Sequence, residues 1–146
     1  MRLSDILASK PRRVVTLPST ATAMEASSLM EREVVGAVMV VDARGHFLGV
    51  VTERHLALAV ASSGAKLFRR PLSEVMRPGG PTASPGDSVG DIIKVVSRLR
   101  VRHVPVLEGG ALVGVVSSGD LLETRLEEVD RESAVLHDLA RARLAS

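Results

Sequence analysis

Gly114-Val115-Val116-Ser117-Ser118-Gly119-Asp120-Leu121-Leu122 decides how the rest of the chain is read. A small residue followed by two β-branched ones favours a strand, and a hydroxyl with an acid three residues on, just before an apolar run, marks a helix start. The stretch reads as a strand feeding directly into a helix. Gly49-Val50-Val51-Thr52-Glu53-Arg54-His55-Leu56-Ala57 carries the same pattern 65 residues earlier.

The repetition extends outward in both directions, the signature of an internal duplication. Leu48 to Val51 match Val113 to Val116 at an offset of 65; upstream of a turn that is one residue longer in the first copy the offset becomes 66. There Ala37 to Asp42 lie on His103 to Glu108, and Thr22-Ala23-Met24-Glu25 on Ser88-Val89-Gly90-Asp91. Length changes inside a turn cost little. A further pair, Leu3-Ser4-Asp5-Ile6-Leu7 and Leu72-Ser73-Glu74-Val75-Met76, opens the two copies.

Local signals give each copy the same order. Leu3 to Leu7 is a short amphipathic helix that stops before Lys10-Pro11 and packs as a lid. Val14 to Leu17 is a β-branched strand halted by Pro18. Thr22 and Glu25 form a capping box ahead of apolar residues at Ala26, Leu29, Met30 and Val34, hence a helix. Val38 to Val41 and Phe47 to Val51 flank a Gly-containing turn as paired strands, and helix resumes after Thr52 through Val60. The unit is strand, helix, strand, strand, helix. Ser62 to Ala65 and the charged run to Arg70 read as a linker. In the second unit Thr82-Ala83-Ser84 is a poor strand, Val89 to Leu99 a helix, Val104 to Leu107 and Leu112 to Val116 strands about Gly109-Gly110, and Leu121 onward a helix. The expected organisation is residues 3–63, a linker 64–71, residues 72–126 and a helical extension 127–146.

Together L-S-E-V-M, D-S-V-x-D, R-H-V-P-V and L-V-G-V-V-S-x-x-D-L-L resemble a cystathionine-β-synthase (CBS) domain, and the two copies, from Leu3 to Leu126, resemble a CBS pair or Bateman module. The resemblance implies an α/β (α+β) fold of two repeats related by a pseudo-two-fold axis. The first copy departs from the pattern in having Met39 in place of proline and His55 in place of the acid.

With 146 residues the chain can bury about 68–70% of its unfolded surface, enough for a core without staples. Its 45% hydrophobic and 25% charged residues are ordinary for a globular protein. Phe47 and Phe68 are the only aromatics, which nearly excludes base stacking on an aromatic platform as a binding mode. A net charge of +2 with interleaved signs gives no nucleic-acid footprint. Cysteine is absent, ruling out disulfide and thiolate chemistry, and the start of the chain has no apolar run suited to a signal peptide or membrane span. The expected location is cytoplasmic.

Ser117 and Asp120 have a plain reading as cap and first-turn acid of a helix. They also sit where a helix leaves the carboxyl end of a strand, a common seat for phosphate and ribose. The resemblance places the nucleotide there, with the Asp120 carboxylate accepting bonds from both ribose hydroxyls. Arg102 and His103 occupy positions that in CBS modules face the phosphates; as residues they read equally well as a solvated strand entry. Thr16, Gly36 and Ala37 correspond to positions lining the adenine end through backbone groups. In the other cleft Thr52, Arg54 and His55 stand where Ser117, Gly119 and Asp120 do. A neutral imidazole offers one acceptor against the carboxylate's two, so adenosine binding is expected to be weak there. His46 and His137 complete a scattered set with no metal or catalytic spacing, and no nucleophile elbow occurs.

The expectation is a non-enzymatic regulatory module that binds an adenosine-containing ligand (AMP, ADP or ATP, with S-adenosylmethionine or NAD as further candidates) and signals to a regulated protein by conformational change. The uncovered stripe of Leu126, Val129, Leu136, Leu139 and Leu144 points to a homodimer. The rivals are an unliganded interaction module and a regulator that touches nucleic acid through Lys66 to Arg70.

Overall fold

The computed structural model describes residues 1–9 and 14–145; the helix stop expected at Lys10-Pro11 lies outside them. Within them the order is α1 (Leu3–Ser9), β1 (Thr16–Pro18), α2 (Ala23–Glu33), β2 (Ala37–Val41), β3 (Phe47–Thr52), α3 (Glu53–Ser63), a 3-10 helix (Gly64–Arg69), α4 (Leu72–Val75), β4 (Arg77–Pro78), α5 (Val89–Leu99), β5 (His103–Glu108), β6 (Ala111–Ser117) and α6 (Ser118–Ala145).

Local chemistry sets the ends of these elements. Thr22 and Ser88, equivalent in the two copies, each accept the backbone N–H three residues on, at 3.2 and 3.1 Å, and so start α2 and α5. Both helices close on a residue in the left-handed region, Val34 at φ 55° and Arg100 at φ 53°, which confirms that the copies share a backbone path. β2 and β3 pair antiparallel, with Ala37 opposite Thr52, and β5 and β6 pair likewise, with His103 opposite Ser117. The N–H of Glu53 bonds Gly36 O at 3.1 Å and that of Ser118 bonds Arg102 O at 2.8 Å. Each strand-to-helix junction is thereby tied to the entry of the strand beside it.

The packing crosses between copies. Leu3 and Ile6 of α1 are buried with Val89, Ile92, Val104, Val116 and Leu121 of the second copy, whereas Leu72 of α4 is buried with Ala26, Met30, Val38, Val51 and Leu56 of the first. Leu3 and Leu72 are both 0% exposed, and complete burial of a leucine stabilises by about 1.5–3 kcal/mol. Backbone bonds follow the exchange: Leu3 N–H to Asp87 O, and Leu72 N–H to Ala21 O. Glycine makes the approach close enough. A Cβ on Gly114 would lie 2.7 Å from Leu7 Cδ2, and one on Gly49 would lie 2.6 Å from the Arg77 carbonyl and 2.9 Å from Met76 Sδ.

Several local expectations need correction. Thr82-Ala83-Ser84 forms no strand but one bridge, Ala83 to Val106, because prolines at 81 and 85 remove donors on either side. Residues 64–69, expected as linker, coil into the 3-10 helix and bury Leu67 in the first core. That burial removes Leu67 from any basic face of Lys66 to Arg70. β4, which pairs with β3 at Gly49 and Val50, was not anticipated. Val34, placed on the apolar face of α2 by its spacing, instead caps the helix and is exposed. α6 runs unbroken through the expected boundary at 126/127, and from Leu122 outward its apolar residues are exposed. No helix among the described residues is long and apolar enough to cross a membrane.

Candidate functional site

Two clefts open where the strand-to-helix junctions of the copies face each other. The smaller has a volume of about 280 Å³ and is walled by Val14, Val15, Val35, Met39 and Val115, with Gly36, Ala37, His103 and Ser117 at its edge. The larger, about 840 Å³, is bordered by Thr52, Glu53, Arg54, His55, Arg77, Arg100 and Arg102, with Gly36 and His103 shared with the smaller. The lining positions correspond under the duplication: Gly36 and Ala37 of one become Arg102 and His103 of the other, and Val115 and Ser117 become Val50 and Thr52. They are one cleft built twice.

Gly36, Ala37, His103 and Ser117 therefore meet as expected. Thr16 does not join them: it is exposed on β1, and its neighbour Val15 contributes to the wall. Arg102 lines the larger cleft, beside Arg54 and His55, and not the smaller. Arg77, Arg100 and the valines of the smaller wall were missed. Offsetting the first copy's cleft residues by 66 would have found Arg100 and Arg102 together; Arg77 depends on the unanticipated β4.

Asp120 is buried, 3% exposed, behind Ser117, which stands at the edge of the smaller cleft. Its Oδ2 accepts the Ser117 N–H at 2.9 Å, while its own N–H donates to Ser117 Oγ at 3.0 Å. The plain capping reading is realised in full, in a reciprocal box. His55 makes the same box: its N–H donates to Thr52 Oγ1 and its Nδ1 accepts the Thr52 N–H, both at 3.2 Å. Accepting on Nδ1 places the proton of neutral His55 on Nε2. Burial holds the His55 pKa below the usual imidazole value, helped by the charges of Arg77 and Arg54 and opposed by a hydrogen bond with the Val50 backbone. No cluster of three or more metal-ligating side chains occurs among the described residues.

Chemically the smaller cleft suits a flat apolar ring with a polar tail. Its walls are aliphatic, its edge offers backbone at Gly36 and Ala37, and the Ser117 hydroxyl stands at the start of α6. The larger cleft is a cationic basin.

Known proteins share this architecture. The family model for the CBS domain matches residues 3–62 and again 72–127. The CBS domain-containing protein YhcV of Bacillus subtilis is 30% identical over 133 residues, covering 91% of this chain and 94% of its own. The crystal structure of a CBS-domain containing protein from Agrobacterium tumefaciens superposes with a TM-score of 0.80 at 34% identity, over 86% of this chain and 99% of that one. A CBS domain protein from Pyrobaculum aerophilum, complexed with AMP, superposes with a TM-score of 0.73 at 31% identity, over 82% of this chain and 89% of that one.

Proposed function

This chain belongs to the CBS domain family and carries two such domains in tandem, and on that premise we propose that it is a regulatory module that holds an adenosine-containing ligand in the smaller cleft. The observation that carries the reading is the convergence of Gly36, Ala37, His103 and Ser117 on one apolar cavity, in a fold whose relative from Pyrobaculum aerophilum was crystallised with AMP. A volume of about 280 Å³ lies at the small end of ligand pockets, which favours a mononucleotide over ATP or NAD. In this reading the adenine lies against Val15 and Met39 and the ribose lies at the Ser117 end, where its hydroxyls donate to the Asp120 carboxylate. The ligand would favour one arrangement of the two copies, and a protein partner, reading that arrangement, would be the regulated component. The module is non-catalytic and pairs with a second copy along α6, whose outer apolar residues are uncovered.

Isothermal titration calorimetry with AMP, ADP, ATP, NAD and S-adenosylmethionine tests the binding. One mole of AMP per mole of chain is expected, bound more tightly than ATP. No heat from any adenosine ligand at millimolar concentration overturns the reading in favour of an unliganded interaction module.

A further inference from the structure

Three arginines of the larger cleft stand where the other copy has an uncharged residue, and an imidazole stands where it has an acid. Arg100 is the equivalent of Val34, Arg102 of Gly36, Arg54 of Gly119, and His55 of Asp120. Because Arg100 and Val34 share a left-handed backbone and both junctions share their backbone bonds, the contrast at these equivalent positions is one of side chains. Arg77, delivered by β4, adds a fourth guanidinium.

These four arginines are exposed at the cleft, and among the described residues none of them pairs with a carboxylate. Among the described residues Glu53 is the one acid on the rim, and its side chain lies over Gly36, at the border with the smaller cleft. Like charges gathered around a cavity repel one another, so the arrangement is stabilised by an anion that neutralises several of them at once. Guanidinium forks match phosphoryl oxygens in pairs, and Arg keeps its charge at any pH of interest. α3 also starts here and adds the positive end of its dipole. With imidazole in place of the ribose-binding acid, the site has lost the group that would select a nucleoside and gained those that select its phosphates.

We infer that the larger cleft is an oligophosphate site, taking a chain of three or more phosphoryl groups by its charge and not by a nucleoside. The inference rests on the reading of the clefts as ligand sites, but concerns the other cleft. Two regulators of different chemistry can then act on one module, a mononucleotide on one side and a phosphate chain on the other.

The probes are inorganic tripolyphosphate, ATP and AMP, titrated calorimetrically into the full chain. Tripolyphosphate is expected to bind one per chain with an affinity that falls as salt is raised, and without displacement by AMP. The double variant Arg54→Gln, Arg102→Gln should weaken tripolyphosphate at least tenfold while AMP binds as before; Asp120→Asn should do the reverse. ATP binding that falls with the same arginines, and matches tripolyphosphate in strength, identifies the phosphate chain as the recognised part; ATP binding at this cleft much tighter than tripolyphosphate shows that the nucleoside is recognised too and overturns the inference. Unchanged tripolyphosphate affinity in the arginine variant, or its absence while AMP still binds, overturns this inference and leaves the mononucleotide reading standing. Loss of AMP binding alone in the wild type overturns that reading and not this one.

Discussion

His55 and Asp120 hold the third position of their helices and return the same hydrogen bond to the residue that caps each one, His55 through Nδ1 to the Thr52 N–H and Asp120 through Oδ2 to the Ser117 N–H. An imidazole and a carboxylate thus serve one mechanical purpose with different charge. The duplication kept the cap and released the chemistry on its outer side, and the two clefts differ as a consequence.

The His55 cap makes stability depend on pH. The folded pKa is depressed below 6.5, so as pH falls through that value the unfolded chain takes up the proton first and stability declines, levelling off below the folded pKa. Above about pH 7.5 the contribution is fully present. His55→Asn keeps an acceptor for the Thr52 N–H without titrating. Urea midpoints between pH 8 and pH 5 should drop more for the wild type than for the variant; parallel profiles would show that His55 is not the sensor.

Asp120 can be dissected by two substitutions. Asp120→Ala leaves the Ser117 N–H without its acceptor, a loss of about 1–3 kcal/mol, and should weaken AMP about ten- to a hundredfold. Asp120→Asn should recover most of the stability but little of the affinity. Denaturation and calorimetry on the same samples separate the cap from the ligand contact, and equal AMP affinity in all three proteins would refute the contact.

Gly49 and Gly114 are equivalent in sequence but should differ in tolerance. A methyl at Gly49 meets the Arg77 backbone carbonyl, whereas one at Gly114 meets the movable tip of Leu7. Overpacking typically costs about 1–3 kcal/mol. Gly49→Ala should fall near the upper end and Gly114→Ala near the lower, as read from chemical denaturation; the opposite order would contradict the close approach of β4.

The outer face of α6 should carry the dimer. Leu126 and Leu136 are 55% and 67% exposed, and a stable isologous contact should bury at least about 1,000 Å². Light scattering is expected to give a dimer at tens of micromolar, and Leu126→Glu with Leu136→Glu a monomer that still binds AMP. A wild-type monomer would remove α6 as the interface.

The strands and helices most legible in the sequence were those with duplicated signals. Thr22 and Ser88 announced α2 and α5, and the paired valine runs announced the two hairpins, because caps and period-two patterns are local. What escaped was set by distant contacts. β4 is two residues of arginine and proline that no propensity favours, held by Gly49 and Val50. Leu67 sits in a run of charges that hides its burial. At the site, the repeat located the strand entries and helix starts that carry Gly36, Ala37, Arg102 and Ser117, while the division of these residues between two clefts was not legible, because sequence order cannot tell which of two symmetric junctions a strand entry faces.

The exchange of α1 and α4 sets a timetable for the chain as it is made. Leu3 and Ile6 emerge before the residues that bury them, which end at Leu121, more than 100 residues later. The first copy, by contrast, can close once Leu72 has appeared. At about 5–20 residues per second of synthesis, α1 waits roughly 5–25 s with its apolar face open. Its short length and its polar Ser4, Asp5 and Ser9 limit that exposure. Its docking is the last stitch: the second copy is sealed by a segment made before it, so the two copies should unfold as one cooperative unit and not half by half.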